Sequence, residues 1–518
     1  MREKLFNFGQ HVIGWFFGIL FGATTLFALL NPNLIIGDNW QTGAGTTIVT
    51  AFFVIFLLAV CIGLYAFPRF RELCHFIFVD HARLTASILL ALVVVWQGVF
   101  VSYIHPPIGW DASALHQGLT DVTSPNMRSY FSQNYNNVPV LLVMRWFAHV
   151  LGSTSWLTFD LITWGLVDLS AVLNLLALWI IKKDALTPGL YIHALWLCWF
   201  PTIIVPYTDA WVLPLVSLML LGAALLVTNH LPSLLQALGG VLFAFAFVAA
   251  YFIKPSAIVP GVGFLMVLAL YALHTHKWSW RWLVLAVVTV ATFAGSYVGL
   301  KHVIENQQEI TIDKGREIPP IHFVSMGVSG AGGYNAHDAL MMAVLPTKKA
   351  RSEYSMRKLK ERIRKMGPLG YAKFLVQKHA NNTADGTFAW DKEGHFINDN
   401  PKPKPGPGVA NHIKQFVYLY GTNLGDFRWF AQLLWCLCLL LIAFAWGKRS
   451  LFIVALRVGI IGSFLYLLAF EGGRSRYLIQ TLPNFLLLAS LLAPTTINEL
   501  QRLTKWGNTP EVKKPDNL

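Results

Sequence analysis

Apolar runs of about 20 residues, each long enough to cross a bilayer, recur twelve times along this 518-residue chain, and that repetition constrains the fold more than any other feature. A helix rises about 1.5 Å per residue, so each run reaches across roughly 30 Å of hydrocarbon. Inside a bilayer every backbone N–H and C=O must find its partner within the chain, which leaves helices for runs of this length. The candidate spans fall at 11–30, 47–66, 85–104, 155–181, 188–206, 210–228, 234–253, 256–273, 282–300, 428–446, 450–469 and 477–493. Charged residues make up 13% of the chain and hydrophobic residues 55%, whereas soluble domains carry about 25% charged residues. A soluble globule, a collagen-like or disordered chain and a small disulfide-rich scaffold are all excluded. The expected class is an all-α polytopic membrane protein with twelve transmembrane helices.

The first run follows Met1-Arg2-Glu3-Lys4 and lacks a small-x-small cleavage site, so it is expected to stay as an anchor. Cys61, Cys74, Cys198, Cys436 and Cys438 all lie in or beside apolar runs and imply no disulfide framework. With the N-terminus inside, the short cytoplasmic connections hold 15 Lys and Arg residues and the short outer ones 5. That bias sets the orientation, with both termini cytoplasmic in the cell membrane. Residues 137–152 are apolar but short and carry Arg145; as a span they would put Lys182 and Lys183 outside. They are expected to lie as a helix at the outer interface, which makes 105–154 a structured outer loop.

The chain therefore divides into a transmembrane module at 1–301, an outer soluble domain at 302–427, C-terminal spans at 428–493 and a cytoplasmic tail at 494–518. The outer domain, expected to be α with some β, holds 17 basic and 12 acidic residues. Long loops translocate largely regardless of such charge. Within it, 349–366 reads as a basic amphipathic helix, whose plain role is a solvated face or a contact with anionic lipid. PKPKPGPG at 401–408 reads as a stiff linker back to the membrane. No internal repeat is visible, which counts against a transporter built from repeated halves.

Ionisable residues at span ends need a partner or a task, and four clusters of them fall on the expected outer face. His105-Pro106-Pro107-Ile108-Gly109-Trp110-Asp111 follows the third span, with the prolines ending the helix and Trp110 as an interfacial anchor. Asp111 is either a functional acid or the cap of the next helix. Pro206-Tyr207-Thr208-Asp209 joins two spans, and Thr208 or Asp209 is a capping candidate there as well. Lys254 lies in the tight turn Phe252-Ile253-Lys254-Pro255-Ser256, where simple snorkelling is the alternative. Glu471-Gly472-Gly473-Arg474-Ser475-Arg476-Tyr477 sets two arginines against the general charge bias; plain headgroup binding is the alternative. Carboxylates of this kind suit a general base, and the three cations suit a phosphate at the depth of a lipid headgroup. Asp160, Asp168 and Arg457 lie within spans and are expected to pair inside the bundle. The histidines lack the spacing of a metal site, so a divalent ion is compatible with the sequence but unsupported. Gly327 through Asn335 is a glycine-rich turn without a phosphate-binding lysine and reads as structural.

In order and sidedness these motifs resemble the GT-C superfamily of polytopic glycosyltransferases, including protein O-mannosyltransferases, aminoarabinose transferases and GPI mannosyltransferases. Trp110-Asp111 is similar to the acidic motif of their first outer loop, and Pro206-Tyr207-Thr208-Asp209 to their second acidic turn. Lys254-Pro255-Ser256 and Arg474-Ser475-Arg476-Tyr477-Leu478 with Pro483 look like their later motifs around the lipid phosphate. Phe323-Val324-Ser325-Met326-Gly327, Gly332 through Asp338 and Lys378 through Trp390 resemble bacterial, Firmicute-type membrane glycosyltransferases. Asp111 is followed by Ala112 and not by a second acid, unlike the paired acids of protein mannosyltransferases. The resemblance implies sugar transfer from a polyprenyl-phosphate donor to an acceptor glycan, lipid or protein, with inversion. Asp111 would act as base, Asp209 would assist, and Lys254, Arg474, Arg476 and Tyr477 would hold the lipid phosphate. No cofactor is required by that scheme and no nucleic-acid partner is expected; membrane lipids are the surroundings. The competing readings are a flippase for a lipid-linked glycan, whose charged groups would line a path across the membrane, and an oligosaccharide ligase using a polyprenyl pyrophosphate.

Overall fold

The computed structural model describes residues 2–275, 279–390, 392, 396–400, 402–404 and 406–504. Most of the expected tail, from 505 on, and positions 401 and 405 of the expected linker lie outside the described residues. Among them all regular structure is helical, and the β component expected at 302–427 is reduced to one isolated antiparallel bridge, Ile108 with Ile397. Among the described residues eleven helices are long and apolar enough to cross a membrane, and each overlaps an expected span.

The remaining expected span, the fifth at 188–206, is a broken one. Its helix, Leu186–Cys198, has only 13 residues and is followed by a 3-10 turn at Pro201–Ile204. Proline at 201 has no N–H to donate and disfavours helical backbone at the residue before it, so regular helix cannot run through. The segment runs along the Ala82–Tyr103 helix: Tyr191 reaches the carbonyl of Ala82 at one end of it, and the carbonyl of Cys198 accepts from Trp96 two turns before its other end. The short apolar stretch near 137–152 is a 14-residue helix, Val138–Leu151, and is not among the long helices. Arg145 on it donates to Glu309 at 2.6 Å and to the carbonyls of Gly118 and Leu119.

Residues 302–427 do not stand apart from the bundle. The 36-residue helix Lys348–Thr383 kinks at Gly367 (φ +63°) before Pro368, and its C-terminal end enters among the spans. His379 meets Thr24 and the carbonyl of Leu20, and Trp435 and Gln432 bond the carbonyls of Thr383 and Ala384. The basic 349–366 stretch is only partly solvated, since Arg351 is fully buried and Arg362 pairs with Asp338 at 2.7 Å. Lys378, fully buried on the same helix, donates to the carbonyls of Gly327, Leu468 and Phe470. That one ammonium ties the glycine-rich turn to the chain emerging from the Leu451–Ala469 helix. Its pKa is drawn down to about 8 by burial, with the charge of Glu471 opposing.

Two expectations about buried charge change. Asp160 is fully buried with neither carboxylate oxygen hydrogen-bonded, and Arg457 donates to the carbonyls of Lys448 and Ala445 and covers the Phe17 ring. Neither forms the intrabundle ion pair expected from the sequence; backbone carbonyls near a helix end take two of the Arg457 nitrogens in place of a carboxylate. Asp168 faces Gln97 and Trp164.

Candidate functional site

Three of the four outer clusters line one cavity of about 310 Å³ at one end of the bundle, and the fourth reaches its wall through Lys254, which pairs with Asp209. Asp111 enters on the helix Trp110–Gln117, whose N-cap is Gly109. It is not a cap, because its carboxylate is used elsewhere. Oδ1 accepts the hydroxyl of Tyr130 at 2.8 Å and Oδ2 that of Tyr207 at 3.0 Å. Asn137 donates to Tyr130 in turn, fixing the direction of its hydroxyl. Burial, and after it the charge of Asp111, holds both phenols well above the usual tyrosine range, so both remain donors. Each oxygen of Asp111 keeps a second acceptor direction for an incoming hydroxyl.

Asp209 is set differently. It sits in the short helix Thr208–Trp211, is almost completely buried and caps nothing. One oxygen pairs with Lys254 and the other lies 3.6 Å from Nε of Arg476. Lys254 and Arg476 both also face the ring of Tyr477. Lys254 is therefore no snorkelling residue, and Asp209 is a carboxylate shared between two cations. Arg474 completes the cationic wall. Opposite it Glu471 accepts the Tyr477 hydroxyl at 2.8 Å. Burial pushes the Glu471 carboxyl up and the charge of Asp111 adds to this, while Tyr477 and the two arginines oppose it.

The remaining wall is the turn Asp385 to Trp390. Asp385 accepts from Asn33, from the backbone N–H of Thr387 and Ala389, and from Ser475, and lies 3.3 Å from the Lys392 ammonium. This network bends the chain so that Phe388 (φ +53°) and Ala389 (φ +61°) take left-handed backbone. Trp110 (φ +57°) does the same. They are the only non-glycine residues with positive φ among the described residues, and all three line the cavity. Such conformations cost on the order of 1–3 kcal/mol each and persist where the surroundings enforce them. Gly473 (φ +75°) supplies the same backbone region without strain, packed on Ala331 and Gly332.

The family described as "conserved hypothetical integral membrane protein" matches residues 5–497. The chain belongs to that family. No curated protein and no solved structure matches it.

In this family member two apolar pockets adjoin the polar cavity. One, of about 440 Å³, lies between Trp96, Phe100, Trp199, Phe200, Ile413 and Phe427. Trp390 separates it from the cavity, with its indole N–H on the carbonyl of Val417 at 2.8 Å. A narrower slot runs from Phe388 down to Leu441 and Leu486. No group of three or more His, Cys, Asp or Glu among the described residues is placed to hold a metal ion.

Every residue singled out from the sequence, Asp111, Asp209, Lys254, Arg474, Arg476 and Tyr477, reaches this cavity or pairs with a residue that lines it. Sequence reasoning missed Tyr130 and the role of Tyr207 as holders of Asp111. It marked Lys378 through Trp390 as a resemblance but gave Asp385 no role, although Asp385-Gly386-Thr387 is a turn signal in its own right: an Asp side chain that bonds the N–H two residues on.

Proposed function

We propose that this protein transfers a sugar from a polyprenyl-phosphate donor to an acceptor hydroxyl in the cavity at the end of the bundle. The observation that carries this reading is the meeting of Asp111, oriented by two neutral phenols, with Arg474 and Arg476 in one pocket flanked by apolar pockets, with Lys254 behind its wall on Asp209. A transfer needs a base for the acceptor and cations for the departing phosphate, and both stand there. The acceptor oxygen attacks the anomeric carbon, its proton passes to Asp111, and the bond from that carbon to the phosphate oxygen breaks with inversion. The leaving phosphate exchanges with Asp209 for the charges of Lys254 and Arg476, and Arg474 adds a third. Asp209, already held by two cations, positions them and is not the base. The prenyl chain lies in the apolar pocket behind Trp390. Positioned proton transfer contributes about 100- to 10,000-fold and alignment of the two substrates more. Convergence at one end favours transfer over a path through the membrane, because a transported substrate needs polar groups near the midplane. The positive-inside bias puts this end on the outer face.

The test is to incubate purified protein with a panel of polyprenyl-phosphate sugars and measure free polyprenyl phosphate. Consumption of at least one donor is expected; none consumed, with labelled lipid crossing reconstituted vesicles, would replace transfer by transport. Cysteines placed at 402 and 448 fix the side: an impermeant thiol reagent should label the first in intact cells and spare the second.

A further inference from the structure

Trp110 separates the main cavity from a second, open trough of about 400 Å³ and lines both. Its backbone is left-handed directly after two fixed points. Gly109 donates to the carbonyl of Phe396 at 2.6 Å, and Asn398 donates to that of Pro107 at 2.7 Å. The bridge between Ile108 and Ile397 is buried on both sides. The pinned chain delivers the opposite of a core aromatic: Trp110 is 66% exposed, while Asp111 beside it points into the cavity. A large side chain in a conformation that suits glycine, displayed at the mouth of a site, is the kind of outlier from which function is inferred.

Among the described residues the rest of the trough is neutral. Ser113, Gln117 and Asn398 offer one hydroxyl and two amides, Met127 an apolar floor, and no charged side chain among the described residues lines it. A phosphate, a carboxylate or a basic peptide would call for the opposite charge. A neutral sugar ring calls for this set: amides and hydroxyls that both donate and accept, and an indole face for its C–H side. The volume falls in the roughly 300–1,000 Å³ range of small-molecule sites. We infer that the trough binds a neutral saccharide stacked on Trp110, and that this saccharide is the acceptor. Its role as acceptor rests on the transferase reading; its binding does not. Seated on Trp110, the ring is one residue from Asp111 and presents a hydroxyl across the tryptophan edge.

The experiment uses the full chain in lipid nanodiscs, with neutral gluco- and manno-oligosaccharides, a uronate-containing oligosaccharide and a Lys-rich peptide as probes, followed by saturation-transfer NMR. A neutral oligosaccharide should bind, and Trp110→Gly should weaken it by about tenfold or more through loss of the stacking surface. Because φ at 110 suits glycine, that variant should fold with an unchanged or higher Tm and still bind donor lipid. Trp110→Tyr should recover most of the binding. Unchanged saccharide binding by Trp110→Gly, or preference for the charged probes, overturns the inference and leaves Trp110 an interfacial anchor. Trp110-dependent saccharide binding without consumption of any polyprenyl-phosphate sugar upholds this site and removes the transferase reading. Donor consumption whose acceptor kinetics ignore Trp110 does the reverse.

Discussion

Two helices of the same length class behave in opposite ways. In Ser475–Leu500, 89% of the most apolar stretch is buried by the rest of the protein; in Ile48–Ala66 only 6% is. The more apolar of the two is the exposed one. A helix facing lipid must be apolar on every side, whereas one inside the bundle can carry Gln480, Thr481, Asn484 and Ser490, all buried here. Apolarity thus reports that a helix belongs in the membrane, not how deep in the bundle it sits. The site follows the buried class. Arg476 opens the Ser475–Leu500 span and Asp209 opens Thr208–Val227, which is 83% buried by the same measure. Ile48–Ala66 and Trp280–Glu305 contribute no residue to the cavity. The first of these is attached mainly by its N-terminus, where Thr47 and Thr50 bond the carboxylate of Asp426.

If burial marks the working half, its charges should be the costly ones to remove. Asp209→Ala leaves Lys254 and Arg476 without the carboxylate that they share, and losing one partner of a buried pair costs about 3–5 kcal/mol. Thermal unfolding in detergent should show a clear fall in Tm, and a wild-type Tm would dissolve the contrast. Lys254→Ala should weaken donor use by about 2–5 kcal/mol, as for other desolvated charge pairs. Acceptor dependence should stay nearly unchanged; normal donor kinetics would reassign Lys254 to structure alone.

Lys378 gives a pH-dependent version of the same test. Its pKa of about 8 lies below the ordinary 10.5. Between these values the unfolded chain holds a proton that the folded chain has released, so stability rises with pH through that window and is flat with respect to this group below it. The Tm of wild type relative to Lys378→Met should therefore climb from pH 8 to pH 10, and a difference independent of pH would remove the buried lysine as its cause. On the exposed side, Ile55→Ala and Leu58→Ala should each change stability by about 0.5 kcal/mol or less. Large losses there would mean that an unseen partner covers Ile48–Ala66.

The sequence made the spans legible because hydrocarbon thickness imposes one length on all of them. It also made the four clusters legible, because a charge at a span end stands out against an apolar background. What it hid were the contacts between clusters. Nothing near Asp111 in sequence shows that Tyr207, 96 residues on, donates to it. The break at 199–204 was marked by Pro201, yet the flanking residues are apolar enough to pass for one span. The burial of Arg351 and Lys378 was hidden for a related reason, since a lysine satisfied by three carbonyls looks in sequence like any surface lysine.

The account rests on Asp111 as the proton acceptor, and Asp111→Asn tests it most directly. Asparagine keeps the shape and can still accept the hydroxyl of Tyr130 or Tyr207 through its carbonyl, so the variant should insert, fold with a near-wild-type Tm and bind donor lipid. Measured with saturating donor and acceptor, sugar transfer should fall by about a hundredfold or more, because the group that takes the proton is gone. Transfer near the wild-type rate by the folded variant would contradict the account.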